Sequence, residues 1–132
     1  MKKNGIIILL MLITMTVVAQ NTTKLKVIYF HSERRCPTCI SIEENTKKTL
    51  DTYFQMQMED GTITFQVYNV DDEKNIQLVE KYEADGSSLF LMQLNGEKEN
   101  TTNFTNFAFS YSRYEAEKFI EGLKTEIEKN LK

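Results

Sequence analysis

Tryptophan is absent from this chain of 132 residues, proline and histidine occur once each, and cysteine occurs twice. Two cysteines and one histidine exclude a tetrahedral zinc site built from paired Cys-x-x-Cys motifs. Internal repeats, long low-complexity runs and Gly/Ser linkers are also missing. Nothing therefore divides the chain, and one domain is expected. Adjacent basic residues occur only as the pairs Lys2-Lys3, Arg34-Arg35 and Lys47-Lys48, and the formal net charge is −3. That balance argues against a nucleic-acid partner, because neutralising phosphates needs clustered Lys or Arg. The longest apolar run, residues 6–18, falls short of the roughly 20 residues a membrane-spanning helix needs.

That run has a different reading. Lys2 and Lys3 precede it, only Thr14 and Thr16 interrupt it, and Val17-Val18-Ala19 closes it on a small residue. This is the pattern of a secretory signal peptide, residues 1–19. A domain of residues 20–132 is expected to remain, with no stable membrane span. Losing two lysines takes the net charge from −3 to −5. The expected location is outside the cytosol, periplasmic or secreted, where disulfides persist. Asn21, Asn100 and Asn103 each begin an Asn-x-Thr triplet, a pattern that arises by chance in an Asn/Thr-rich chain.

What the chain does have is Cys36-Pro37-Thr38-Cys39, which holds both cysteines and the one proline. The motif follows an apolar run and precedes a helical pattern. Cysteines three apart at a helix start lie close enough to close a small disulfide ring. The helix N-terminus also favours a thiolate. The combination points to thiol–disulfide chemistry. Two other readings stay open. An inert crosslink is one, although so small a ring removes little chain entropy. The other is a metal site of Cys36, Cys39 and His31, completed by a further group.

The remaining elements follow from patterning. Residues 25–30 (LKVIYF) read as a buried strand. Pro37 suits a first helical turn, and a helix is expected over 37–56 with Ile40, Leu50, Tyr53 and Phe54 inward. After the Asp60-Gly61 turn, residues 63–70 alternate as a second strand. Asp71 or Asp72 caps a helix over 73–82 with Ile76, Val79 and Tyr82 inward. Residues 88–94 read as a third strand, Asn95-Gly96 as a hairpin turn and residues 103–109 as a fourth strand. Ser112 and Glu115 match a capping box. It precedes a last helix that docks through Phe119, Leu123, Ile127 and Leu131. The fold class is α/β in the order β-α-β-α-β-β-α, a central mixed four-stranded sheet with flanking helices. Parallel crossovers are expected among the first three strands.

With that order, Val27-Ile28-Tyr29-Phe30 leading into Cys36-Pro37-Thr38-Cys39 resembles the thioredoxin-like superfamily, in its compact glutaredoxin-sized form. Residues 82–86 followed by Leu89-Phe90-Leu91 resemble the approach to that family's third core strand. Three departures stand out. Ser88 matches the position where the family usually carries a cis-proline. Arg35 stands where thioredoxins place Trp. Phe30, six residues before Cys36, stands where thioredoxins often carry a buried acid.

The resemblance implies a protein thiol–disulfide oxidoreductase in which Cys36 attacks and Cys39 resolves. Its redox group is the cysteine pair itself, with no cofactor and no resident metal. Its partners would be protein dithiols or disulfides, or an electron-donating redox protein, and a monomer is expected. Arg34 and Arg35 add positive charge beside Cys36. Pro37 and Thr38 shape the loop, Ser88 faces it, and His31 is either a proton shuttle or a loop residue. Glu43 and Glu44 read as a wet helix face. Phe104, Phe107, Phe109, Tyr111 and Tyr114 read mostly as core and edge strand, while Met56 and Met58 are too few for a copper site. The departures favour a second possibility, a thioredoxin-like module that docks a partner without redox turnover.

Overall fold

β1, Leu25–His31, is buried on both faces along its apolar stretch Val27 to Phe30. The structure, a computed structural model, describes residues 22–132; the expected leader lies outside them. β1 sits inside a four-stranded sheet of order β2-β1-β3-β4, with β2 at Ile63–Asn69, β3 at Ser88–Asn95 and β4 at Lys98–Asn103. Helices α1 (Pro37–Tyr53), α2 (Gln55–Glu59), α3 (Ile76–Tyr82), α4 (Thr105–Tyr111) and α5 (Ala116–Asn130) flank it. This is a mixed α/β architecture, consistent with a thioredoxin-like arrangement.

Alternation along β1 sorts the core into two layers. Leu25, Val27 and Tyr29 pack with Ile42 and Leu50 of α1 and with Phe119, Leu123 and Ile127 of α5. Ile28 and Phe30 pack on the other face with Tyr82, Ala84, Phe90 and Met92. The inner face of α5 follows the four-residue spacing of its sequence, with Leu131 half-buried just past its end.

Strand direction departs from expectation once. β1 and β2 are parallel, from Leu25↔Ile63 to His31↔Asn69, but β3 is antiparallel to β1, with Phe30 opposite Ser88. The reason is the length of α3. Seven helical residues advance the chain ~10 Å, whereas a seven-residue strand spans ~23 Å. α3 cannot return the chain along the sheet, so β3 enters at the end where β1 and β2 finish. The turn that sends it there is a Schellman motif. Glu83 takes the left-handed conformation (φ 50°), and the Ala84 N–H bonds to the Val79 carbonyl at 2.9 Å.

Other expectations shift. Residues 105–111 form α4 rather than a strand, and the fourth strand is the polar stretch Lys98–Asn103 before it. Phe104, Phe107, Ala108 and Tyr111 recur at helical spacing and pack on α5. Phe109 and Tyr114 are exposed. The Asn95-Gly96 signal is sound: Asn95 pairs with Lys98, and Gly96 takes φ 65° in a two-residue turn. The capping box does not form. Ser112 is buried at the end of α4, and α5 starts at Ala116 without a side-chain cap.

The first long helix ends at Tyr53, and α2 begins after Phe54. Its buried face is Cys39, Ile42, Thr46, Thr49 and Leu50, which leaves Ile40 and Tyr53 exposed. Ile76 is exposed at the start of α3. Asp72 caps the short 3-10 turn Glu73–Asn75 just before it, accepting from the Lys74 N–H at 3.0 Å, and α3 itself starts without a side-chain cap.

Two ends of the sheet matter below. At one, His31, Asn69 and Ser88 bring the loops around the cysteines together. At the other lie the β3–β4 turn and both ends of the described chain. Leu94 N–H bonds to the Lys24 carbonyl at 2.7 Å, and Gln93 Nε2 donates to the Asn130 carbonyl at 2.8 Å.

Candidate functional site

Cys36 occupies the N-cap of α1 with extended backbone, and Pro37 follows at the start of the helix. At an N-cap a side chain normally accepts one of the unpaired backbone donors of the first turn. Here the acceptor is sulfur: the Cys39 N–H points at Cys36 Sγ, 3.0 Å away. The Ile40 N–H closes the turn onto the Cys36 carbonyl at 3.0 Å. Cys36 and Cys39 are joined as a disulfide across a Cα–Cα distance of 5.0 Å. The pair is asymmetric. Cys36 is exposed, and Cys39 is buried at 6% exposure. A thiolate formed at Cys36 would keep the N–H donor and the positive end of the helix dipole, with no acidic residue in the first turn to oppose it.

The loop before the motif is anchored to its neighbours. Glu33 N–H donates to Asp71 Oδ2 at 2.7 Å, tying it to the loop after β2. A Cβ on Gly86 would lie 3.7 Å from the Ser32 hydroxyl, so the loop before β3 packs there as well. Gly86 also needs its freedom of backbone, at φ 84°. His31 ends β1 with Nδ1 2.9 Å from the Ser32 carbonyl. Ser88 is buried at the start of β3, and its hydroxyl donates to the Gly86 carbonyl at 3.3 Å. No cis peptide bond occurs among the described residues. Thr38 is half-buried between the cysteines, while Pro37 is exposed.

Beneath the motif lies a group that patterning did not single out. Tyr29 is fully buried, and its hydroxyl donates to the Cys39 carbonyl at 2.7 Å. Burial raises the Tyr29 phenol above its ordinary value, and the nearby Ser87 and Arg35 side chains act in the opposite sense. Arg35 turns inward: its guanidinium pairs with Glu43 and lies 5.9 Å from the centre of the Tyr29 ring. Desolvation pulls Arg35 down, but the hydrogen bond and charge of Glu43 outweigh it and leave the guanidinium above its ordinary value.

Glu43 is therefore not the wet surface residue that its polar surroundings suggested; Glu44 is. The signal for Glu43 was its spacing. Four residues after Cys39, it shares a helix face with the buried cysteine. The signal for Tyr29 was its place beside Phe30, on the opposite face of β1. Phe30 itself packs in the other layer, 5.7 to 5.9 Å from the rings of Tyr68, Tyr82 and Phe90. No acid stands in its place.

Among the described residues, no three His, Cys, Asp or Glu side chains converge so as to hold a metal ion. Cys36, Cys39 and His31 do not make such a group. No described helix is long and apolar enough to cross a membrane.

No protein-family model matches this chain, and no curated protein matches it. A solved structure of a malarial protein is similar over 76% of this chain and 97% of its own length, at 17% identity and a TM-score of 0.45.

Proposed function

We propose that this protein is an exported thioredoxin-like thiol–disulfide oxidoreductase that exchanges disulfides with protein dithiols through Cys36 and Cys39. The supporting observation is the asymmetric pair: an exposed sulfur at a helix N-cap, bonded to a buried one a turn further in. A client thiolate attacks Cys36 Sγ, the Cys36–Cys39 bond breaks, and Cys39 leaves and takes a proton from solvent. A second client thiolate then attacks the client sulfur of the mixed disulfide. Cys36 leaves as a thiolate, the client is oxidised by two electrons and the cysteine pair is reduced. The reverse sequence reduces a client disulfide.

The test is alkylation of the reduced protein across pH, with insulin reduction as the activity. Cys36 is expected to titrate below the usual thiol value of about 8.5, and Cys36→Ser is expected to abolish turnover. An ordinary titration together with unchanged turnover in Cys36→Ser would end the enzyme reading. Cys39→Ser separates it from the docking-module reading. Catalysis traps a client as a mixed disulfide, whereas docking retains a partner when both thiols are absent.

A further inference from the structure

We propose that Arg35 and Glu43 together set how readily Cys36 forms a thiolate: Arg35 favours it, and Glu43 acts through Arg35 to hold that effect back. The inference rests on the redox reading above and deepens it.

Four observations converge. Arg35 directly precedes Cys36. Its guanidinium is held in place by Glu43 and the Tyr29 ring rather than trailing in solvent. The Arg35 and Glu43 side chains are only 28% and 29% exposed, so water screens them less than a surface pair. Finally, Arg35 Nε is buried without a hydrogen-bond partner. A buried guanidinium N–H normally finds an acceptor. In the disulfide form neither sulfur carries charge, and opening the bond creates an anion one residue away.

Other charged or titratable groups surround the motif. Glu33 and Arg34 lie in its own loop, and His31 and Tyr29 at the end of β1. Asp71 follows β2, and Asp85 adjoins Gly86. Arg113 follows Ser112, whose carbonyl accepts from Asn45 on α1. Of these, only Tyr29 shares the Arg35–Glu43 contact.

In the exchange cycle Cys36 is the leaving group when the oxidised client departs, and a more acidic thiol leaves faster. It also stabilises the reduced pair and makes the protein more oxidising. Removing Glu43's charge frees Arg35 toward the thiolate. Removing Arg35's charge leaves the carboxylate alone near it.

The test compares wild type, Glu43→Gln, Arg35→Gln and the double variant, by iodoacetamide rate against pH and by glutathione redox titration. Glu43→Gln is expected to lower the Cys36 titration midpoint by about one pH unit, a tenfold gain in thiolate at low pH. The reduction potential should rise by about 30 mV, the equivalent of tenfold for a two-electron couple. Arg35→Gln should move both the opposite way, and the double variant should return near wild type. Thermal melts followed by circular dichroism check folding; Glu43→Gln is nearly isosteric and carries the test if Arg35→Gln unfolds. A melting shift with an unmoved Cys36 titration makes the pair purely structural and overturns the inference while leaving the redox reading intact. Single variants that shift the titration in the same direction also overturn it. If Cys36 is inert toward clients in all four proteins, the redox reading itself fails and the tuning falls with it.

Discussion

Tyr29→Phe removes one oxygen from the most enclosed point under the cysteines. The ring stays, so the packing of Tyr29 against Ile42 and Leu89 is kept. What disappears is the 2.7 Å bond to the Cys39 carbonyl and the hydroxyl's contact with Ser87 and Arg35. A buried hydrogen bond contributes about 0.5–1.5 kcal/mol net. The Cys39 carbonyl keeps its place in the α1 ladder, so it is not left bare. The expected loss is about 0.5–1.5 kcal/mol. For a domain of this size that is a fall in Tm of about 2–6 °C.

The assay is thermal and urea denaturation of the oxidised protein, followed by circular dichroism because no tryptophan is available. Alkaline pH gives a second handle. Burial raises the folded phenol above its unfolded value of about 10. Its contribution is therefore complete below pH 10 and disappears as pH climbs through the folded value. The gap between wild type and Tyr29→Phe should close in that window. A variant as stable as wild type at pH 7, or one whose gap persists unchanged at high pH, refutes the role given to this hydroxyl.

Three further outcomes follow from the fold. A Cβ at Gly122 would collide with the Phe107 ring, and Phe107 sits between Phe104 and Tyr111, tilted to both, with ring centroids 4.7 Å apart in each pair. Gly122→Ala should therefore lose about 1–3 kcal/mol from overpacking despite alanine's better helix propensity, and Phe107→Leu should restore part of it in urea melts. Glu83→Gly should instead stabilise by about 0.5–1 kcal/mol, because glycine takes the left-handed turn without the side-chain penalty; a lower urea midpoint contradicts this. The Lys81 hydrogen bond holds the Glu99 carboxyl below its ordinary value. Its contribution is present above the unfolded value of about 4.3 and lost as pH falls through the folded one. Glu99→Gln should lower the urea midpoint at pH 7 and leave it unchanged at pH 3.

The parts of the fold that could be read in advance are those where burial imposes a period. β1 is apolar and buried from Val27 to Phe30 because both faces are covered there. α5 repeats Phe119, Leu123 and Ile127 because one stripe meets the sheet. β4 carries no such imprint: it is an edge strand of exposed polar residues, and only the Gly96 turn betrays it. The aromatics of residues 104–111 suggested a strand by composition. Their spacing of three and four was the better guide, because α5 rather than a neighbouring strand receives them. At the site, the cysteines and their junction were legible because they are local in sequence. Tyr29 and the Arg35–Glu43 pair were not, since their roles come from β1 and α1 meeting in space. The direction of β3 depended on the length of α3, which periodicity does not report.

The placement of the two ends of the described residues has a practical reach. Lys24 and Asn130 sit by the hairpin at Gly96, a full strand length (~23 Å) from the disulfide. A fluorophore on the hairpin or a surface linkage through Lys132 would thus leave Cys36 pointing away from its anchor, free to meet visiting proteins.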